Sequence, residues 1–150
     1  MNTGGPVSKH LFVVVALAVS ALLGLVTLAV QAAEPAKRIE IVIKDKTSKV
    51  LTGYTLTGSL TEIVVRNEDT ITHGFNSSLF TPDMKVEMSG GSLAQGKGPH
   101  VYRVDAGKTL VLKFTTPRWD GDRSFAFWCD LHRSVKGEML VVEVTGPVPG

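Results

Sequence analysis

The residues of this chain best suited to hold a metal or carry a nucleophile are one cysteine and four histidines. The cysteine lies in Ser124-Phe125-Ala126-Phe127-Trp128-Cys129-Asp130-Leu131-His132. A single cysteine cannot form an internal disulfide, so Cys129 is either a small buried apolar side chain or a metal ligand. His132 follows three residues later, close enough for a tight loop to bring its imidazole to the thiolate. A second imidazole is available from His73, in Asn67-Glu68-Asp69-Thr70-Ile71-Thr72-His73-Gly74-Phe75, which follows a strand pattern and a turn. A soft thiolate with two imidazoles in a trigonal set suits copper cycling between Cu(I) and Cu(II), with a weak fourth ligand to tune it. The remaining histidines read more plainly. His10 precedes an N-terminal apolar run, and His100, after a Gly-rich stretch, reads as a solvated loop residue.

These donors need rigid elements to converge, and the pattern supplies strands. Arg38 to Lys44 alternates, with Ile39, Ile41 and Ile43 on one face, and Leu60 to Arg66 is a β-branched run that stops at the turn-forming Asn67-Glu68-Asp69. Val101 to Val104, Leu110 to Thr115, Phe125 to Cys129 and Met139 to Val144 are further strand candidates, with Asp105-Ala106-Gly107-Lys108 as a turn. Phe125, Phe127 and Cys129 share a strand face, which puts the sulfur beside core aromatics and leaves Trp128 on the opposite face. The stretch from Phe80 to Pro99, rich in Gly, Ser and Pro, reads as a surface excursion. Helical periodicity is weak and no repeat is present. The expected fold is therefore all-β, a Greek-key β-sandwich of about seven or eight strands over residues 34–150.

The chain begins with Lys9, His10 and no acid, then runs apolar from Leu11 to Val30 and exits through Val30-Gln31-Ala32. Residues 1–33 thus read as a cleaved secretory signal, or as a membrane anchor, since the apolar run is long enough to span a bilayer. Either way the rest is expected to be exported, to the periplasm or the outer face of the cytoplasmic membrane. Setting residues 1–33 aside removes one Lys and no acid, leaving 15 basic against 14 acidic side chains. That balance gives no argument for nucleic acid as a partner.

The segment Phe127 to His132, followed by Val135-Lys136-Gly137-Glu138-Met139-Leu140-Val141-Val142, resembles the C-terminal ligand loop and last strand of cupredoxins, the blue copper proteins. Among single-domain members the plastocyanin/amicyanin-like and nitrosocyanin-like proteins are nearest in motif. Asn67-Glu68-Asp69 with Thr72-His73-Gly74-Phe75 is similar to the upstream ligand region, as found in nitrosocyanin-like proteins and copper-A domains. The resemblance implies that His73, Cys129 and His132 are equatorial ligands of one copper ion in a monomer that exchanges electrons with a redox protein. It also implies a non-enzymatic role.

Three departures narrow this expectation. Copper-A domains use a second cysteine, absent here, so one copper is expected; nitrosocyanin-like red sites have glutamate where this chain has His73, which favours a blue-type set. In amicyanin-like loops a methionine stands where this chain has Val135, so a site without methionine is favoured. Met139, Met84, Met88 and Glu87 remain as other axial donors. Loss of a thioether removes electron density that favours Cu(II), so a raised potential is expected unless water or a carboxylate fills the gap. Gly74 replaces an asparagine that links the ligand loops in many family members, and it retains a backbone N–H for the Cys129 sulfur. Electron transfer leads the functional readings, ahead of copper carriage, which the Met84/Met88 pair leaves open, and of catalysis at an open copper position.

Overall fold

The computed structural model describes Met1 and residues 35–143. The Leu11–Val30 run, with its signal-or-anchor reading, lies outside the described residues, as does Val144. Eleven strands follow one another: β1 (Lys37–Lys44), β2 (Thr47–Thr52), β3 (Tyr54–Leu56), β4 (Leu60–Asn67), β5 (His73–Ser77), β6 (Glu87–Ser89), β7 (Ser92–Leu93), β8 (Tyr102–Val104), β9 (Thr109–Thr115), β10 (Arg123–Trp128) and β11 (Lys136–Val142). They form a five-stranded sheet ordered β2-β1-β4-β9-β6 and a six-stranded sheet ordered β3-β11-β10-β5-β8-β7. The chain crosses repeatedly from one sheet to the other, staying within a sheet only from β1 to β2, from β7 to β8 and from β10 to β11, so many neighbours in space are distant in sequence.

All six expected strand segments are present, as β1, β4, β8, β9, β10 and β11. The total exceeds seven or eight because β3, β6 and β7 are only two or three residues long. Two of these, β6 and β7, lie within the Gly/Ser-rich excursion, with every residue on the exposed side.

Alternation explains the layering. Ile39, Ile41 and Ile43 of β1, Ile63 and Val65 of β4, and Leu110, Leu112 and Phe114 of β9 bury one face of the first sheet. Phe75, Tyr102, Val104, Phe127, Met139 and Val141 bury the facing side of the second. Full burial of such side chains is worth about 1.5–3 kcal/mol each. The ion pairs on the outside of the first sheet, Arg38–Glu62 and Arg66–Glu40, have half-exposed arginines and contribute about 0–1 kcal/mol each. The apolar faces therefore set the register.

At the start of β4 the interior turns polar. Thr61 shares its hydroxyl with Thr55 at 2.6 Å and Thr116 at 2.7 Å, and all three side chains are buried. The chemically promising residues gather at the opposite end, where β4 finishes and β5 begins.

Candidate metal centre

The turn between β4 and β5 is built by Asn67. Its buried side chain accepts from the Asp69 N–H at 3.0 Å and donates to the carbonyls of Ile71 and Val104 at 2.8 and 3.0 Å. Such side-chain bonding replaces the ladder that a turn lacks. His73 then opens β5 with its ring wholly buried.

Cys129 and His132 arrive from the other direction. Strand β10 runs antiparallel to β5, with Trp128 opposite Asn76, so the chain beyond Trp128 passes alongside Phe75, Gly74 and His73. The Cys129 N–H donates to the Val135 carbonyl at 2.9 Å, and the Val135 N–H to that of His132 at 3.1 Å. These two bonds close a tight loop, and His132, half-buried, is folded back toward the sulfur.

The three donors converge. The Cys129 Sγ lies 3.8 Å from His73 Nδ1 and 3.7 Å from His132 Nδ1, and one donor atom from each residue falls within 4.8 Å of the others. The imidazole centroids are 4.7 Å apart and the rings cross at 63°. A metal bonded at about 2.0 Å to nitrogen and about 2.3 Å to sulfur, with angles near 120°, would separate sulfur from each nitrogen by about 3.7 Å. The spacing therefore fits a trigonal metal with one thiolate and two imidazoles, a donor set suited to copper. The Gly74 N–H donates to the Cys129 sulfur at 3.0 Å, the bond expected for that residue.

Asp69 was legible in the sequence only as a turn residue. Its Oδ2 lies 2.7 Å from His73 Nε2, which makes the Nε2–H the donor and leaves Nδ1 with a free lone pair toward the sulfur. The same carboxylate accepts the N–H groups of Asp45 at 2.6 Å and Lys46 at 2.9 Å. Asp45 and Lys46 form a two-residue turn between β1 and β2 with φ of 52° and 54°, the left-handed pair of a tight hairpin, which aims both amides outward. Burial pushes the Asp69 carboxyl up; the Lys46 amide, His73 and the Asp45 amide outweigh it and hold it below its ordinary value. The only signal in the sequence was a carboxylate four residues ahead of the histidine.

A second unexpected contact is the ion pair of Arg103 with Asp130, bidentate at 2.8 and 2.7 Å. Burial raises the Asp130 carboxyl, and the Arg103 bonds and charge more than reverse this, leaving it low. Asn76 donates to the Trp128 carbonyl at 3.2 Å beside it.

Met139, Glu87 and Met88, three of the other axial candidates, lie elsewhere. Met139 is a buried core residue opposite Phe125, and Phe125 is four residues, about 13 Å along the strand, from Cys129. Glu87 and Met88 pair with Lys113 and Leu112. The β4 partner of Lys113 is Glu62, five residues, about 16 Å, short of Asn67. Met84 packs half-buried on the core. Val135 is buried among the same apolar side chains as Cys129. His100 is not a solvated residue as expected: its Nδ1 lies 3.0 Å from the Tyr102 hydroxyl, and its Nε2 is buried.

No protein-family model matches the chain, and no curated protein matches it in sequence. Solved structures do resemble it. McoA, a multicopper oxidase from the hyperthermophile Aquifex aeolicus, superposes with a TM-score of 0.50 at 12% identity, over 81% of this chain and 32% of that one. Auracyanin A, a "blue" copper protein from Chloroflexus aurantiacus, gives 0.45 at 14% identity, over 73% and 99% of the two chains. Amicyanin from Paracoccus versutus gives 0.38 at 12% identity, over 73% and 83%. The chain spans about a third of the length of the oxidase. The two-sheet architecture, its strand order and this superposition identify the described region as a cupredoxin-like β-sandwich.

Proposed function

We propose that the chain is an exported copper protein that carries single electrons between redox partners, with His73, Cys129 and His132 holding one copper ion. The observation that carries this reading is the donor triangle, with sulfur-to-nitrogen spacings of 3.7 and 3.8 Å inside a largely buried shell. Copper bound there would supply a Cu(I)/Cu(II) couple, since thiolate and imidazole together serve both states.

The protein's part is to keep its donors still. His73 is held by Asp69, the Cys129 sulfur by the Gly74 amide, and His132 by the loop closed at Val135. Small motion of the donors between oxidation states favours rapid exchange. His132 is the half-buried member of the trio and Leu131 beside it is 49% exposed, so an electron would leave or enter at this edge. Trp128, 43% exposed on the other face of β10, offers a second route next to the ligand sulfur. With Val135 where a methionine was expected, the site is read as lacking a thioether donor.

Carriage of copper is the weaker reading, because Met84 and Met88 form no shared exposed cluster: one packs on the core and the other sits on β6. A partner protein docking at the His132 edge, a monomeric state and a location in the periplasm or at the outer face of the cytoplasmic membrane belong to the same proposal. The Leu11–Val30 run supports export.

The absorption spectrum of purified copper-loaded protein tests the reading. An intense thiolate-to-Cu(II) band in the visible is expected, and it disappears in Cys129→Ser. A spectrum unchanged in that variant overturns the ligand assignment. Copper held only as Cu(I) and surrendered readily to a chelator overturns electron transfer in favour of carriage.

A further inference from the structure

The residue after His73 is a glycine whose missing side chain has a specific cause. Gly74 lies opposite Arg103 on β8. On its other side the β10 register, continued past Trp128 opposite Asn76, brings Asp130 alongside. Arg103, Gly74 and Asp130 thus form one row across three neighbouring segments, about 4.8 Å apart from each to the next. Side chains in such a row point to the same face, so a side chain at position 74 would stand between the other two.

The space is already taken. A Cβ built on Gly74 would overlap Asp130 Oδ1 and meet Arg103 Nη1 at 2.7 Å. Backbone conformation does not demand the glycine, because Gly74 is not among the residues with positive φ. What demands it is the guanidinium reaching across the strand to grip Asp130 by two bonds. Both side chains are largely shielded, with 16% and 24% of their surface exposed, so the pair is less screened than a surface ion pair.

We propose that Arg103 and Asp130 are positioning residues that clamp the Cys129–His132 loop onto the edge of β5, and that Gly74 is retained to make room for the clamp. Asp130 follows Cys129 directly, so the clamp fixes the backbone from which the sulfur projects. Through the same grip it holds the Gly74 amide at the sulfur. The role rests on the copper reading above only for its effect on the metal; the clamp itself is a property of the metal-free chain.

The test is a pair of measurements. In copper-free protein, hydrogen exchange of the Cys129 and Val135 amides reports the loop directly. Arg103→Met, which keeps the apolar stem, is expected to speed exchange at these amides by about tenfold, the low end for a charge-assisted bond, while core amides of β1 and β4 stay protected. In copper-loaded protein the same variant alters the shape of the thiolate absorption and the electron spin resonance of Cu(II). Gly74→Ala supplies the cross-check. It is expected to loosen the loop in the parent, and to have little further effect in Arg103→Ala/Asp130→Ala, where the space is vacant. Equal effects of Gly74→Ala in both backgrounds, or unchanged amide exchange in Arg103→Met, overturn the clamp. If the chain fails to bind copper but its loop amides still respond, the copper reading falls and the clamp stands.

Discussion

Replacing Asp69 by Asn keeps the size of the side chain and removes the charge behind His73. In the parent, one carboxylate accepts three donors: the Asp45 N–H on one oxygen, and the Lys46 N–H with His73 Nε2–H on the other. Asparagine offers a single oxygen and an NH2 group, so at least one of those donors must face another donor. The Asp45 and Lys46 amides lie in an exposed turn and can bond to water instead, so the expected loss of stability in the copper-free protein is that of one net hydrogen bond, about 0.5–1.5 kcal/mol. The effect on the metal is separate. Removing the carboxylate behind a ligating imidazole weakens the ring as a donor and typically costs about 10–100-fold in metal affinity, or about 1.4–2.7 kcal/mol. Because the stronger donor favours Cu(II), the variant should also have a higher reduction potential, in the same direction as the loss of a thioether. Competition with a Cu(I)-binding dye, voltammetry and thermal unfolding of the apo-protein separate the two effects. Affinity and potential both unchanged, in a variant whose apo-protein is destabilised as expected, would refute the role of Asp69 behind His73 and leave it as a hairpin anchor alone.

Other outcomes follow from the same geometry. Thr61→Val should cost about 1–3 kcal/mol in urea unfolding, because it strands the buried Thr55 and Thr116 hydroxyls, with no change in the copper spectrum at the far end of the sandwich. Met139→Leu should leave the copper spectrum and potential unaltered, since Met139 lies opposite Phe125 in the core; a shifted potential would restore it as a donor. Asp69 and Asp130 both have carboxyls held low, so the unfolded chain takes up their protons first. Their stabilisation is full above the ordinary carboxylate range and is lost as the pH falls below about 4, which unfolding midpoints measured against pH would show. Tyr102, pushed up to about 12 by burial, should ionise late in an ultraviolet titration, and that phase should vanish in Tyr102→Phe. Here the neutral form is favoured, so the contribution is complete below about pH 10 and fades toward pH 12.

What the sequence made legible was what repeats along a strand. Ile39, Ile41 and Ile43 announced β1 because its one buried face forces a period of two, and Phe125-x-Phe127-x-Cys129 located the thiol for the same reason. Strand β5 gave no such sign. His73 to Ser77 are buried on both faces and include Gly74 and Asn76, so alternation is absent. Strand β2 begins at a hairpin turn of Asp45 and Lys46, two residues in left-handed conformation without the glycine that usually marks it. The donor trio was readable from residue type and order, but the groups that orient it were not. Asp69 meets His73 because a turn bends back between them, and Arg103 meets Asp130 because β8 and the ligand loop flank β5. Those are facts of pairing across the sheet, and nothing local in the chain encodes them.

The hairpin at Asp45 and Lys46 also bears on when the centre can exist. Its amides hold Asp69, Asp69 holds His73, and the remaining donors lie near the other end of the chain, so the site joins the turn after the first strand to the loop before the last. A chain still being made, or held in extended form, has no assembled donor triangle until β10 has paired with β5 and the loop after it has closed at Val135. Metal sites rarely exist in unfolded chains, and this one is completed by the loop ahead of the final strand. On the proposed reading of an exported chain, copper is therefore acquired after transport and not before it.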